Sequence, residues 1–181
     1  MVARATKRPI RSKSVVEGLV KRAMERETDN VIDDGSLQVH EILPLEWLQQ
    51  HTGEAFRVLD AEIAADYYDE YWLAGGRGSL KSSYVGTKIV HSIMNDGANG
   101  IQSNALVIRK VGNTLLDSVY AQCVWSIFQL GAGSYWQFRK APLELIYRPT
   151  NQKIMFRGLD DPSKIRSIKL RRGHIGYLWF E

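Results

Sequence analysis

The stretch Tyr71-Trp-Leu-Ala-Gly-Gly-Arg-Gly-Ser-Leu-Lys-Ser-Ser83 decides how the chain is interpreted. A short apolar run leads into glycines and then into Lys81-Ser82, and a helical pattern follows. This is the order of a phosphate-binding loop, in which backbone N–H groups and the positive end of a helix surround phosphate oxygens. In such a loop the lysine reaches the β- and γ-phosphates, and the serine hydroxyl binds Mg²⁺.

One position departs from the pattern G-x-x-x-x-G-K-[ST], because Leu80 stands where a glycine precedes the lysine. Leucine lacks the freedom of glycine to adopt a positive φ. The Leu80 N–H can still face a phosphate if φ stays negative and the side chain turns away, so the departure constrains the loop without abolishing it. The alternative is that residues 75–79 form only a flexible turn and that Lys81 only begins a helix.

Two further residues fit the chemistry of a nucleoside triphosphatase. Such an enzyme needs a carboxylate at the end of a buried strand to hold the Mg²⁺ that bridges the β- and γ-phosphates, and the apolar run 177–180 ends in Glu181. Arg77 lies four residues before Lys81, where a guanidinium can reach the γ-phosphate as an arginine finger. Alternatively, Glu181 is only a polar chain end after a core strand. Arg77 could instead point to solvent or pair with one of the acidic residues at 66–70.

The composition limits the class of protein. A chain of 181 residues with 44% apolar and 24% charged residues suits one globular domain, and no apolar run reaches the length of a membrane span. Cys123 is the single cysteine, which excludes an intrachain disulfide and a thiolate zinc cluster, so we expect an intracellular protein. The net charge of +4 is uneven, since residues 1–22 and 151–172 are basic and residues 54–70 are acidic. Basic clusters suit nucleic-acid backbones, although they can also be solvated surface.

Periodicity predicts alternating strands and helices. Residues 72–74 and 105–108 predict buried strands, and the helix between them runs from the loop to about Met94 and ends at 95–97. A second helix begins at Thr114, with Asp117 at the capping-box position, and ends at Gly131. The other predicted elements are short helices at 14–26 and 45–51, an antiparallel hairpin of 143–148 with 153–157, and a last strand at 175–180. We also expect Cys123, Trp72, Trp125 and Trp179 in the core.

This order of elements predicts an α/β fold with a mainly parallel sheet. At this point the chain resembles the large subunit of tailed-phage terminases, nearest to the prophage type. The stretches that carry the resemblance are 75–83, 107–120, 154–168, with its Gly-Leu-Asp-Asp-Pro segment, and 176–181. The resemblance implies a P-loop NTPase-type three-layer sandwich that is incomplete at its C-terminus. It makes residues 1–40 a basic tail with a short helix and residues 41–181 a partial ATPase domain without the family's nuclease domain.

The same resemblance implies an ATP hydrolase with ATP and Mg²⁺ as cofactors. Lys81 would hold the phosphates, Ser82 and Glu181 the Mg²⁺, and Arg77 the γ-phosphate. The residues that would line the nucleotide are Gly76, Arg77, Gly78, Ser79, Leu80, Lys81, Ser82 and Ser83.

The implied partners are double-stranded viral DNA, a terminase small subunit and the portal protein of a procapsid. A working ring oligomer in the host-cell cytoplasm, without membrane contact, is also implied. In the family a water-activating acid and a coupling motif follow the position of Glu181, so we expect this chain to bind nucleotide and to hydrolyse it poorly. The alternatives are another P-loop DNA translocase or helicase, and a non-catalytic fragment that binds DNA or a partner.

Overall fold

The structure is a computed structural model that describes residues 55–66, 68–160 and 162–181. The helices expected at 14–26 and 45–51, and the domain boundary expected after residue 40, lie outside these residues. The described chain divides into two compact units, 55–84 and 85–181, with the gaps just given.

The first unit contains helix α1 (Ala55–Ala64), an irregular segment, and the first turn of helix α2 (Lys81–Ala98). The Phe56 ring stacks on the Tyr84 ring with centroids 4.5 Å apart. The Tyr84 hydroxyl donates a hydrogen bond of 2.9 Å to Oδ1 of the buried Asp60. Burial, together with the charge of Asp60, raises the pKa of Tyr84. The helix start that follows the glycine-rich loop is therefore fixed to α1 by one ring stack and one buried hydrogen bond.

The strand expected at residues 72–74 is not formed, so this prediction was wrong. The backbone from 70 to 76 is irregular, and Trp72 is 79% exposed instead of lying in the core. A run of three apolar residues is too short to show the alternation that assigns one face of a strand to a core, so its sequence did not distinguish a strand from an irregular segment.

The second unit is built on a five-stranded sheet in the order β2-β3-β4-β1-β5. β1 pairs in parallel with β4 and with β5, whereas the pairs β2–β3 and β3–β4 are antiparallel. The strands are β1 (Ser103–Arg109), β2 (Trp136–Lys140), β3 (Leu143–Tyr147), β4 (Gln152–Gly158) and β5 (His174–Phe180).

This topology confirms the α/β class, the strand at 105–108, the hairpin and the last strand. The expectation of a mainly parallel sheet is not confirmed, because the sheet is mixed, with two parallel and two antiparallel pairs. The β3–β4 hairpin was predicted from the sequence, whereas β2 was not, and its pairing with β3 adds a second antiparallel pair. In β2 only Trp136 is buried and the next four residues are exposed, so the strand lacks the apolar pattern of the others.

Helix α2 continues to Ala98, beyond the end expected at residues 95–97. Polar contacts with the sheet hold its last turn, since Asp96 accepts hydrogen bonds from Ser103 and, at 2.8 Å, from the Tyr177 hydroxyl. Gly97 lies against the sheet, where an added Cβ would be 2.6 Å from Oε1 of Gln152. The turn that ends the helix comes at Gly100, whose φ is +70°. These contacts override the turn-forming tendency of Asn95-Asp96-Gly97.

Between β1 and β2 the chain forms a 3-10 turn (Gly112–Thr114), a π-helical turn (Leu116–Tyr120) and helix α3 (Ala121–Gln129). The expected helical region and its end at Gly131, with a φ of +66°, are confirmed. The capping box is not, because no side chain caps these helical turns.

Helices α2 and α3 pack together beside the sheet. The hydroxyls of Thr87 and Ser126 are 2.9 Å apart, and the Tyr120 ring meets the Phe156 ring edge-on at 5.2 Å. Cys123 is completely buried, as expected, and burial raises the pKa of its thiol.

Of the other tryptophans expected in the core, Trp179 is buried, whereas Trp125 is 51% exposed, so the second placement was wrong. Trp125 lies next to the apolar stripe of α3 rather than within it, and composition alone did not separate the two positions.

The chain segment that connects β4 to β5 covers part of the sheet. It begins with the short helix α4 (Pro162–Arg166), and Ile165, Ile168 and Leu170 pack against Leu106, Ile108 and Met155. None of the helices within the described ranges combines the length and the apolar character that a bilayer crossing requires.

Candidate nucleotide-binding site

The loop at residues 75–80 curves around the ammonium group of Lys81. Its Nζ donates hydrogen bonds to the carbonyl oxygens of Gly75 at 2.7 Å and Gly76 at 3.0 Å, and to Oγ of Ser79 at 2.6 Å. Ser79 Oγ in turn donates to the Gly76 carbonyl at 2.8 Å. A lysine ammonium has three N–H donors, so these three contacts use all of them. The cation therefore lies inside the curve of the loop, which is the position that a phosphate-binding lysine needs.

Two loop residues have left-handed backbone conformations. Gly78 has a φ of +81°, and Leu80 has a φ of +60°. The negative φ that was the condition for a phosphate contact of the Leu80 N–H is not adopted, because the chain reverses direction between Ser79 and the helix. The carbonyl oxygen of Leu80 accepts the N–H of Tyr84 at 2.9 Å, so this turn leads directly into the first helical hydrogen bond. Leu80 thus adopts the conformation that glycine supplies in the consensus pattern, at a cost of about 1–2 kcal/mol for a residue with a Cβ.

This strain yields a prediction for Leu80→Gly. The Leu80 side chain is 60% exposed, so its removal loses little apolar burial. Glycine relieves the strained φ but loses more backbone entropy on folding, which leaves a net gain of about 0.5–1 kcal/mol in the free energy of unfolding. Urea titration measures this gain. Leu80→Ala is the matched control, since it removes the same side chain and keeps the Cβ, and an equal gain in both variants would show that strain is not the cause.

The other expected loop residues lie where the sequence placed them. Ser82 and Ser83 are half-buried in the first turn of α2, whose N–H groups point ahead of the helix. Arg77 is exposed on the loop, and it forms no ion pair with a carboxylate of the described residues. The guanidinium can therefore reach toward a ligand in the loop.

Two features of the loop region were missed by the sequence analysis. The carbonyl of Gly75 is an acceptor for Lys81, and only its place as the first glycine of the run could have indicated this. A cavity of about 310 Å³ also borders the lysine. Its lining residues are Phe56, Leu59, Trp72, Leu73, Ala74, Ser79 and Lys81. The exposed Trp72 is thus explained as a wall of this cavity.

Glu181 lies at the carboxyl edge of the parallel strands in the second unit. Its N–H donates to the carbonyl of Ile108 at 2.9 Å, directly beyond the end of β5. The neighbouring strands β1 and β4 end at the same edge, where the N–H of Leu159 donates to the carbonyl of Arg109 at 2.9 Å. The carboxylate therefore follows a strand on the edge where ligands bind in open α/β sheets.

The other residues at this edge connect loops to each other. Asp160 Oδ1 accepts the N–H of Gly112 at 3.2 Å, and Nη1 of Arg109 donates to the carbonyl of Thr114 at 3.2 Å. Lys110 is exposed. Asp160 thus holds the turn after β4 to the turn after β1, and Arg109 stabilises the turn that follows its own strand.

The donor set suits a metal that arrives with a nucleotide. Among the described residues, no three His, Cys, Asp or Glu side chains are grouped so that they could hold a metal ion. Mg²⁺ in nucleotide sites is bound by one or two protein side chains and by the substrate phosphates, and does not need such a cluster. The Ser82 hydroxyl and the exposed Glu181 carboxylate are each of a chemical type that Mg²⁺ accepts as a ligand.

Comparison with known proteins identifies the family. A sequence profile of the family described as phage terminase large subunit matches residues 70–181. The large terminase subunit of Bacillus phage SPP1 is 38% identical over 119 residues, which are 66% of this chain and 27% of that protein. The PBSX phage terminase large subunit of Bacillus subtilis strain 168 is 34% identical over 110 residues, or 61% of this chain and 23% of that protein.

The present chain thus spans about a quarter of the length of these relatives. The matched region includes the loop around Lys81, the whole sheet and the carboxylate at its edge. Since the family profile covers more than half of the chain, the chain belongs to the phage terminase large subunit family.

Proposed function

We propose that this chain binds ATP with Mg²⁺ through the loop at residues 75–83. The observation that carries the proposal is the position of Lys81, whose ammonium is enclosed by loop carbonyls and the Ser79 hydroxyl ahead of a helix N-terminus. Membership of the terminase family supports the choice of ATP. The fold in which the loop works would be the three-layer P-loop sandwich.

Within a longer large subunit, the chain would be part of an ATP-hydrolysing motor that drives double-stranded DNA into a procapsid. This role includes the small subunit and the portal as partners and a ring oligomer in the host cytoplasm. Family membership supports these assignments, which go beyond the geometry of the site.

When ATP binds, its phosphate oxygens would replace the loop oxygens that accept hydrogen bonds from Lys81. Its three present acceptors are uncharged oxygens, and phosphate oxygens carry negative charge. Charge-assisted hydrogen bonds are roughly twice as strong as neutral ones, so the lysine gains by leaving the loop carbonyls for the β- and γ-phosphates. The N–H groups of Gly76, Gly78, Ser79 and Leu80 would add donors, because left-handed residues in a turn make concave anion sites.

The remaining residues have roles that follow from their chemistry. Arg77 would contact the γ-phosphate, where it can stabilise charge that builds up during transfer. Ser82 and Glu181 would hold the Mg²⁺, and Ser83 would line the phosphates from the helix. The metal, when bound, neutralises charge on the β- and γ-phosphates.

A calorimetric titration of ATP into the protein, with Mg²⁺ and with excess chelator, tests the proposal. We expect one saturable site per chain and higher affinity in the presence of Mg²⁺. A thermal shift measured with the same ligand is the second readout. Absence of both heat and thermal shift would overturn the proposal and leave a fragment that binds DNA or a partner without nucleotide.

The role of Glu181 gives a separate prediction. In Glu181→Gln the side chain keeps its size but loses the charge that would bind the metal. We expect Mg²⁺ to raise ATP affinity by about tenfold less than in the parent, on the order of 1.4 kcal/mol for one lost carboxylate ligand. The control is Asp117→Asn, which removes the charge of another exposed carboxylate. Equal Mg²⁺ dependence in the parent and in Glu181→Gln would remove Glu181 from the metal site.

A further inference from the structure

The connection from α4 to β5 is a strongly basic surface that the nucleotide site does not use. We call residues 163–173 the basic crossover. The chain has no acidic residue from 162 to 180, and the crossover contains five basic ones. The four whose side chains the structure describes are all exposed, namely Arg166, Lys169, Arg171 and Arg172.

The basic crossover is anchored to the sheet through its apolar residues. Ile165, Ile168 and Leu170 pack on the sheet residues Leu106, Ile108 and Met155. The basic residues alternate with these, so burial of the apolar side chains turns the cations to solvent. The positions of the charges follow from the packing.

Hydrogen bonds fix the end of the basic crossover as well. Asn104 Nδ2 donates to the carbonyl oxygens of Arg172 at 3.3 Å and of His174 at 3.2 Å. Between them Gly173 has a φ of +74°, and the N–H of His174 donates to the carbonyl of Gln102 at 3.1 Å. The backbone under Arg171 and Arg172 is therefore ordered before any partner binds, which lowers the entropy cost of binding.

Within residues 55–66, 68–160 and 162–181, no carboxylate neutralises the exposed cations of the basic crossover. No carboxylate of the described residues forms an ion pair with any of the four exposed side chains. The nearby buried Glu144 is already paired with Lys153 and Arg157, both at 3.2 Å. Glu144 and Lys169 line one cavity of about 630 Å³, together with Lys153 and Arg157, so the Glu144 carboxylate is neutralised by its own two partners.

We propose that the basic crossover binds the phosphate backbone of double-stranded DNA, with Arg166, Lys169, Arg171 and Arg172 as the contacts. This inference rests on the proposed motor function and names the surface that would touch its DNA. Four exposed like charges within seven residues suit a duplex, which carries one negative charge per about 1.7 Å of helix axis. Residues 163–173 contain no aromatic side chain. Single-strand binders use aromatic rings to stack bases, so the composition favours a duplex backbone over single strands.

The test is the salt dependence of binding to a labelled duplex, measured by fluorescence anisotropy for the parent and for Arg171→Gln/Arg172→Gln. Each phosphate contact that is lost reduces the slope of log affinity against log salt by about one. We therefore expect a slope smaller by about two, with affinity lowered about tenfold or more near physiological salt. Arg166→Gln/Lys169→Gln should give a similar change, and it replaces the first variant if that one folds poorly.

The matched control is Arg139→Gln/Lys140→Gln on β2, where two adjacent exposed cations are removed with the same change in net charge. This variant should keep the affinity and slope of the parent. Equal losses of duplex affinity in the crossover variant and in the β2 variant would mean that only net charge matters. Unchanged affinity in both variants would exclude the crossover as the DNA contact. Either result overturns the proposal. So would a crossover variant that loses binding to polyglutamate but not to duplex DNA, because it would indicate an acidic protein partner.

Separate variants and separate ligands distinguish a failure of the nucleotide proposal from a failure of the DNA proposal. ATP affinity of Arg171→Gln/Arg172→Gln should equal that of the parent, and duplex affinity of Lys81→Ala should be unchanged. A chain that binds ATP but shows no effect of the crossover variants would refute the DNA surface alone. A chain that binds duplex through the crossover but no ATP would refute the nucleotide proposal alone.

Discussion

Replacing Lys81 by alanine is expected to weaken ATP binding at least about 100-fold, because at least two charge-assisted hydrogen bonds of about 1.5–3 kcal/mol each are lost and each 1.4 kcal/mol is a factor of ten. The protein itself should stay folded. In the absence of ligand the three contacts of Lys81 are solvent-exposed. Exposed contacts contribute little to stability, so the free energy of unfolding should change by less than about 1 kcal/mol.

This combination of a large loss in affinity with a small change in stability separates a binding residue from a structural one. Calorimetric titration and urea unfolding of the same sample measure the two quantities. Lys140→Ala is the control, since it removes an exposed lysine from β2 in the second unit. Unchanged ATP affinity in Lys81→Ala would refute the nucleotide site. A loss of several kcal/mol in stability would instead assign Lys81 a mainly structural role.

The sequence contained enough information to place the residues of the candidate site in the fold but not to give their conformation. The order of apolar run, glycines, lysine and serine placed Lys81 and Ser82 at the start of a helix, and the apolar run 177–180 placed Glu181 at the end of a strand. The φ of Leu80 could not be read from its residue type, because a residue type gives only a preference for negative φ. Its positive φ belongs to the turn that leads into the first hydrogen bond of α2, from the Tyr84 N–H to the Leu80 carbonyl. No sequence pattern could relate Asp60 to Tyr84, which are 24 positions apart and meet only through the fold.

The fold likewise contains elements that local sequence predicted and elements that it did not. Strands with compact apolar runs, such as 105–108 and 175–180, were found from local pattern alone. The end of α2 was missed because it depends on a contact of Asp96 with Tyr177, which is 81 positions away in sequence. β2 was missed because it is an edge strand with one buried residue, and its pairing with β3 supplies what its own sequence lacks. Elements that are defined by distant partners were therefore the ones that local patterns failed to predict.

The largest effect on stability is expected for Gly173→Ala, at the junction between the basic crossover and β5. An added Cβ would overlap the carbonyl oxygen of Gln102 and lie 2.8 Å from its carbonyl carbon, both of which are backbone atoms. The φ of +74° is strained for any residue with a Cβ. The strain costs about 1–2 kcal/mol, and the overlap with rigid backbone adds about 1–3 kcal/mol. We expect a total loss of about 3 kcal/mol or more in the free energy of unfolding, measured by urea titration.

Gly100→Ala separates the two causes of this loss. Gly100 has nearly the same φ, +70°, but a Cβ there would meet no atom within 4 Å. This control should therefore lose only the strain energy, about 1 kcal/mol. Because Gly173 directly precedes β5, whose end carries Glu181, relief of the overlap must move that strand or Gln102. Gly173→Ala should then also reduce the Mg²⁺ dependence of ATP binding, whereas Gly100→Ala should not. Equal destabilisation by the two substitutions would show that the close packing against Gln102 does not hold β5 in place.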